Sequence, residues 1–179
     1  MTIESIDKIS TARGEQVKKI IKLCAEDLRT NLCKNCRYSN EHPNEPLEVE
    51  KITNEYFGYM QNDKLLLLKN EDEIVGLIAY SKYFDKEESV ENFGIYLHTL
   101  LIHPEYRRKG WGTSLLKALE DIWQSRRIIT NLCGKNRSLV DFMSKNLYMM
   151  VQIDKVDTKG CYGADLFEKY TTENVFNLP

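Results

Sequence analysis

The chain reads as an α/β protein: a mixed sheet covered by helices. Three observations predict this. Val17, Ile20, Ile21, Cys24 and Leu28 recur at helical spacing across residues 11–31. Leu65 to Leu68 and Ile95 to Ile102 are apolar runs of strand length. From residue 95 onward strand-like and helix-like stretches alternate, the layout in which helices pack on a partly parallel sheet.

The elements follow in order. Ser10 or Thr11 suits the start of the first helix, because a side-chain oxygen there accepts from an unpaired N–H. Lys34 to Pro46 is polar with two prolines and reads as a loop. A second helix is predicted over 47–61, where Ile52, Tyr56 and Met60 share a face. Strands Lys64–Lys69 and Ile74–Phe84 flank the polar stretch Asn70-Glu71-Asp72-Glu73 as a hairpin. Asp85 to Asn92 is an acidic loop. A strand over 95–102 leads into a helix over about 110–125 that buries Leu115, Leu119, Ile122 and Trp123, with Arg126 and Arg127 near its end, where positive charge suits the helix dipole. Then come a strand Ile128–Cys133, a short helix over about 136–146 with Leu139, Phe142 and Met143 apolar, and strands Tyr148–Val156 and Ala164–Tyr170. There is no internal repeat.

Composition excludes several classes. With 179 residues, 42% hydrophobic and 29% charged, the chain suits one soluble globular domain. A net charge of −2 argues against a general nucleic-acid binder. No apolar run approaches a membrane span, and Met1 to Ser5 does not open a secretory signal, so the expected compartment is the cytoplasm. Five scattered cysteines do not form a disulfide framework in such a chain. Cys33-x-x-Cys36 with His42 lacks the second pair that a structural zinc needs, so no metal is expected.

The run His103-Pro104-Glu105-Tyr106-Arg107-Arg108-Lys109-Gly110-Trp111-Gly112 is the most informative stretch. A strand, a basic turn with two glycines and a helix together hold anions well. Glycine lets the backbone turn tightly. The first helical N–H groups lack partners and sit at the positive end of the dipole. Arg107, Arg108 and Lys109 add charge. The bland alternative is a solvated surface turn. Neither Gly-x-Gly-x-x-Gly nor Gly-x-x-x-x-Gly-Lys-Ser/Thr is present.

Arg107-x-x-Gly110-x-Gly112, after an apolar strand ending in Ile102-His103-Pro104, resembles the acyl-CoA-binding signature of the GNAT N-acyltransferases. The resemblance implies a central mixed sheet, splayed between two strands and flanked by helices. It implies one domain over 1–179 with a helical and loop insertion at about 32–61. It implies acetyl-CoA as acyl donor. Its pantetheine arm would pair with the backbones of Leu100, Leu101 and Ile102, one N–H serving as oxyanion donor. Its pyrophosphate would be wrapped by Arg107, Arg108, Lys109, Gly110, Trp111, Gly112 and Thr113. Asn136, where members often carry a cofactor-contacting Asn, is equally an ordinary N-cap.

Two departures bear on mechanism. Many members place a Tyr seven residues after that Asn as general acid; here it is Met143. Leu147 stands where many have Gly, before Tyr148. Tyr148 and Cys133 are substitute acids. Some members carry a Glu base eleven residues before the motif; here it is Tyr96, whose pKa near 10 makes it a poor base. His98, on the same strand face, titrates naturally near neutrality. It is equally a half-buried strand residue bonded to a neighbour. A water chain past Glu91 or Asp85 is a third route.

Glu41, Glu45, Glu48, Glu50, Glu55, Asp85, Glu87 and Glu88, with Tyr38, Tyr56, Phe57 and Tyr59, suggest a cationic acceptor, a small-molecule amine or a peptide end. A solvated surface over core aromatics is the competing view. The expected protein is an N-acetyltransferase, monomeric or homodimeric. The alternative is a non-catalytic acyl-CoA-binding regulatory module of GNAT-like fold.

Overall fold

A computed structural model describes residues 1–31, 49–84, 93–124, 126–133, 137–153 and 164–170. The order is β1 (Thr2–Ile6), α1 (Thr11–Asn31), α2 (Val49–Met60), β2 (Lys64–Asn70), β3 (Glu73–Phe84), β4 (Phe93–Ile102), a 3-10 turn (Pro104–Tyr106), α3 (Trp111–Ile122), β5 (Arg127–Cys133), α4 (Arg137–Lys145), β6 (Met149–Ile153) and β7 (Ala164–Tyr170). Seven strands form one mixed sheet in the order β1-β2-β3-β4-β5-β7-β6. Among the described residues only β4 and β5 run parallel, joined through α3, because parallel neighbours need a crossover.

The sheet is apolar on both faces because helices cover both. Leu65, Leu67, Leu77, Ala79 and Leu101 pack with Val17, Ile20, Ile21 and Cys24 of α1 and Met60 of α2. Leu66, Leu68, Ile78, Tyr80, Ile95 and Leu97 pack with Leu115, Leu116 and Leu119 of α3 and Met143 of α4. This explains the unbroken run Leu65–Leu68: alternate residues serve opposite cores. Each buried leucine contributes about 1.5–3 kcal/mol.

The predicted helices and strands are present, with ends shifted by a few residues, and β1 is an addition. Its five residues lie at the sheet edge with only Ile6 buried, too little pattern to read. Ile122, expected inside, is 47% exposed. α3 ends there, and the Trp123 ring closes that end of the core instead, edge-on to Tyr80 and Phe93. Residues 32–48, 85–92 and 154–163, Asn136, and the side chains of Leu28 and Cys133 lie outside what is described.

Candidate active site

Two irregularities of β4 create the site. Ala79 stands opposite Thr99 and Tyr80 opposite Leu97, so His98 is the extra residue of a β-bulge. β4 also pairs with β5 only at Ile95–Ile128 and Tyr96–Ile129. Beyond that point β4 follows β3 and β5 follows β7, so the parallel strands part. Thr130 Oγ1 donates to Leu97 O at 2.9 Å where the parting begins.

The opened edge has a definite polarity. His103 N–H donates to Val75 O at 2.8 Å, and in an antiparallel ladder the direction alternates along the strand. Leu101 therefore bonds toward β3, whereas Leu100 and Ile102 turn their main-chain groups toward the split. The Ile102 carbonyl is already engaged: Arg107 Nε donates to it at 2.9 Å and the Cys24 thiol at 3.6 Å. The Arg107 guanidinium also lies 3.6 Å from Cys24 Sγ. Arg107 thus turns inward beneath the turn and ties the end of β4 to α1.

The turn itself is built for exposed amides. His103 Nδ1 accepts from Glu105 N–H at 3.2 Å, Asn70 Nδ2 donates to Tyr106 Oη at 3.1 Å, and Lys109 Nζ donates to Glu105 O at 2.8 Å. Arg108 (φ 59°) and Gly110 (φ 84°) both adopt left-handed backbone. Gly110 is the N-cap of α3 and a side chain there would meet nothing within 4 Å. The first helical bond is Ser114 N–H to Gly110 O, so the amides of Trp111, Gly112 and Thr113 precede it without helical acceptors. Gly112 has a separate reason: a Cβ there would stand 3.1 Å from Phe142 Cζ, so the glycine lets α3 approach α4. Amides, dipole, Arg108 and an open approach fit a phosphate group.

On the opposite face of the sheet a cavity of about 360 Å³ is lined by Ile52, Glu55, Tyr56, Tyr59, Asp63, His98 and Thr99. His98 Nε2 lies 2.7 Å from Ser81 Oγ and 3.6 Å from Asp63 Oδ1, and its side chain is 39% exposed. The Tyr96 ring packs tilted on the imidazole, centroids 4.6 Å apart. Asp63 is 7% exposed. Burial raises its carboxyl above the ordinary range, and the nearby His98 partly opposes this. Burial also raises the Tyr96 phenol, opposed by hydrogen bonding with Asn131, so Tyr96 is a poor base here.

The structure brings His98 and Tyr96 together and sets Tyr148 apart. Tyr148 is buried in the core beside α3, beneath Lys169, whose Nζ lies 5.6 Å from the ring centroid. Burial, and then Glu120, hold its phenol far above the usual range. Of the acidic and aromatic residues read as an acceptor surface, Glu55, Tyr56 and Tyr59 line the cavity. Phe57 instead faces α1, under Lys18, and Glu50 pairs with Lys22. Asp63 and Ser81 were not legible: neither lies in a motif, and only packing brings them to His98. The other grouped residues, Asn136 and the Cys33–Cys36 pair lie outside the described residues; among those described, no three metal-ligating side chains cluster.

Comparison with known proteins agrees with this fold. The family model described as Acetyltransferase (GNAT) family matches residues 25–146. An uncharacterized N-acetyltransferase in the lysA 3′ region of Bacillus methanolicus is 30% identical over 91 residues, covering 50% of this chain and 69% of that protein. The fold is similar to an acetyltransferase from Thermus thermophilus, with TM-score 0.66, 13% identity and coverage of 95% of this chain and 97% of that one. It is also similar to the PaiA N-acetyltransferase of Thermoplasma acidophilum, solved in complex with coenzyme A, with TM-score 0.60, 19% identity and coverage of 95% and 99%. The chain belongs to the GNAT family of acetyltransferases.

Proposed function

We propose that this protein transfers an acetyl or other short acyl group from acyl-CoA to the primary amine of a cationic small molecule or peptide end, in the cytoplasm. One observation carries the reading. The open edge of β4 runs from the amides at the start of α3 to the His98 bulge, and His98 lines a cavity bearing two carboxylates and two tyrosines. A coenzyme A thioester fits this path. Its phosphates suit the amides of Trp111, Gly112 and Thr113 with Arg108. Its amide-bearing arm suits Leu100 and the Ile102 N–H as another strand would. The thioester supplies an activated acyl carbon.

The residues divide the remaining work. Glu55 attracts an ammonium group, and Tyr56 and Tyr59 offer aromatic faces to it. His98 accepts the amine proton. The nitrogen of the neutral amine bonds to the acyl carbon as that proton passes to His98, the C–S bond breaks, and coenzyme A leaves as thiolate. A main-chain N–H on the open edge stabilises the transient oxyanion. A base next to the amine cavity favours the enzyme over a purely binding module.

The test is thiol release from acetyl-CoA in the presence of an amine panel. Cationic amines should be acylated, and His98→Ala should lower turnover about 10²- to 10⁴-fold with coenzyme A affinity unchanged. Acylation confined to neutral or acidic amines would exclude the cationic acceptor. An unchanged rate in His98→Ala would remove His98 from the reaction.

A further inference from the structure

We infer that Asp63 is a positioning residue that fixes the tautomer of His98, so that Nδ1 is the nitrogen that receives the acceptor's proton. This rests on His98 as the base.

The geometry is specific. Ser81, His98 and Asp63 are the residue types of a nucleophilic triad, but here both partners approach the same ring nitrogen. Ser81 Oγ lies 2.7 Å and Asp63 Oδ1 3.6 Å from His98 Nε2. In a nucleophilic triad the carboxylate holds Nδ1–H while Nε2 faces the serine. The arrangement in this protein cannot activate Ser81 that way.

It does something else. An ionised carboxylate only accepts hydrogen bonds or attracts positive charge. Beside Nε2 it favours the form with the proton on that nitrogen, and Ser81 Oγ is the nearer acceptor for it. A neutral imidazole has one N–H and one lone pair, so the lone pair falls on Nδ1. Asp63 Oδ1, on a largely buried side chain, faces Nε2 at 3.6 Å. The fold holds the carboxylate in place. Asp63 is separated from the end of α2 by Gln61 and Asn62; its N–H donates to Met60 O at 3.2 Å, and β2 begins at the next residue. The imidazole is fixed by the bulge and by the Tyr96 ring.

The competing role for Asp63 is direct contact with the acceptor's ammonium group. The two differ in a double-mutant cycle and in a spectrum. The chain has three histidines, so 15N-histidine labelling gives few signals, and His98→Gln assigns the one of interest. The expected wild-type form is the Nε2–H tautomer. Asp63→Asn places an amide donor where the carboxylate stood and should shift His98 toward the Nδ1–H form. It should lower kcat about 10- to 100-fold, part of what a positioned base contributes, with KM for the amine little changed. Asp63→Glu should recover part of the loss. In a His98→Ala background Asp63→Asn should cost nothing more.

An unchanged tautomer in Asp63→Asn overturns the proposal. So does an equal loss with and without His98, or a loss confined to KM. Wild-type turnover in His98→Ala would instead overturn the base reading, while the spectrum still decides whether Asp63 sets the tautomer.

Discussion

Gly110 and Gly112 serve the same turn for different physical reasons, and alanine at each position separates them. At Gly112 the added methyl would stand 3.1 Å from Phe142 Cζ and 3.3 Å from Cε2. Carbon atoms pack best at about 3.5–4.0 Å. Relief requires the ring or the start of α3 to shift, and such overpacking costs about 1–3 kcal/mol. A chain of this size loses about 2–4 °C in Tm per kcal/mol, so Gly112→Ala should melt about 2–12 °C lower. At Gly110 the methyl would meet nothing within 4 Å, but φ is 84°. Left-handed backbone costs an L-residue about 1–2 kcal/mol, a fall of about 2–8 °C. Phe142→Leu decides between the mechanisms. With a smaller side chain opposite, Gly112→Ala should be cheaper than in the wild type, with a coupling of about 0.5–3 kcal/mol. Gly110→Ala should show no coupling to position 142. Melting with and without coenzyme A, across the two cycles, is the assay. Additive behaviour of Gly112→Ala with Phe142→Leu would refute the steric account of that glycine.

Two further outcomes follow from buried polar groups. Arg107→Ala removes the Nε donor from Ile102 O and should destabilise by about 1–3 kcal/mol, measured by urea unfolding; Arg107→Lys should recover little, because an ammonium lacks the guanidinium fork. Burial holds the folded pKa of Asp63 above its unfolded value near 3.8, so the unfolded chain ionises first as pH rises. The stability this gives is full below the unfolded pKa and is lost as pH climbs through the folded one. Asp63→Asn should therefore gain stability relative to the wild type as pH rises from the unfolded pKa through the folded one, read from urea midpoints; a pH-independent difference would contradict that sign.

Much of the fold was legible because pattern and environment coincide. Val17, Ile20, Ile21 and Cys24 do face one core, and Leu65–Leu68 reads as a strand buried on both sides. The basic turn was legible because its glycines must sit at fixed offsets from a strand and a helix. What was not legible came from register and packing. No local signal marks His98 as a bulged residue; that depends on how β3 counts against β4. Arg107 reads as a phosphate ligand, yet the Ile102 carbonyl, facing away from β3, draws its side chain inward. Asp63 looks like an ordinary turn carboxylate until α2 lays it beside β4.

The acid side of the reaction raises a last question, which Met143 and Tyr148 answer together. Family resemblance would put a tyrosine at 143, but Met143 is 1% exposed and packs in the core with Leu115, Leu116 and Leu119. Tyrosine there would bring a larger side chain and a hydroxyl into apolar packing, at about 1–3 kcal/mol for the volume alone. Tyr148 does not replace it: it lies in the core beside α3, and burial with Glu120 beside it holds the phenol proton fast. Tyr148→Phe should therefore leave kcat unchanged. The thiolate can leave without a side-chain acid, since a thiol pKa near 8.5 makes that departure cost only roughly 2 kcal/mol at neutral pH. Met143→Tyr should then lower stability without raising kcat. A faster enzyme with an unchanged Tm would show instead that position 143 reaches the sulfur, and the acid would have to be sought on α4.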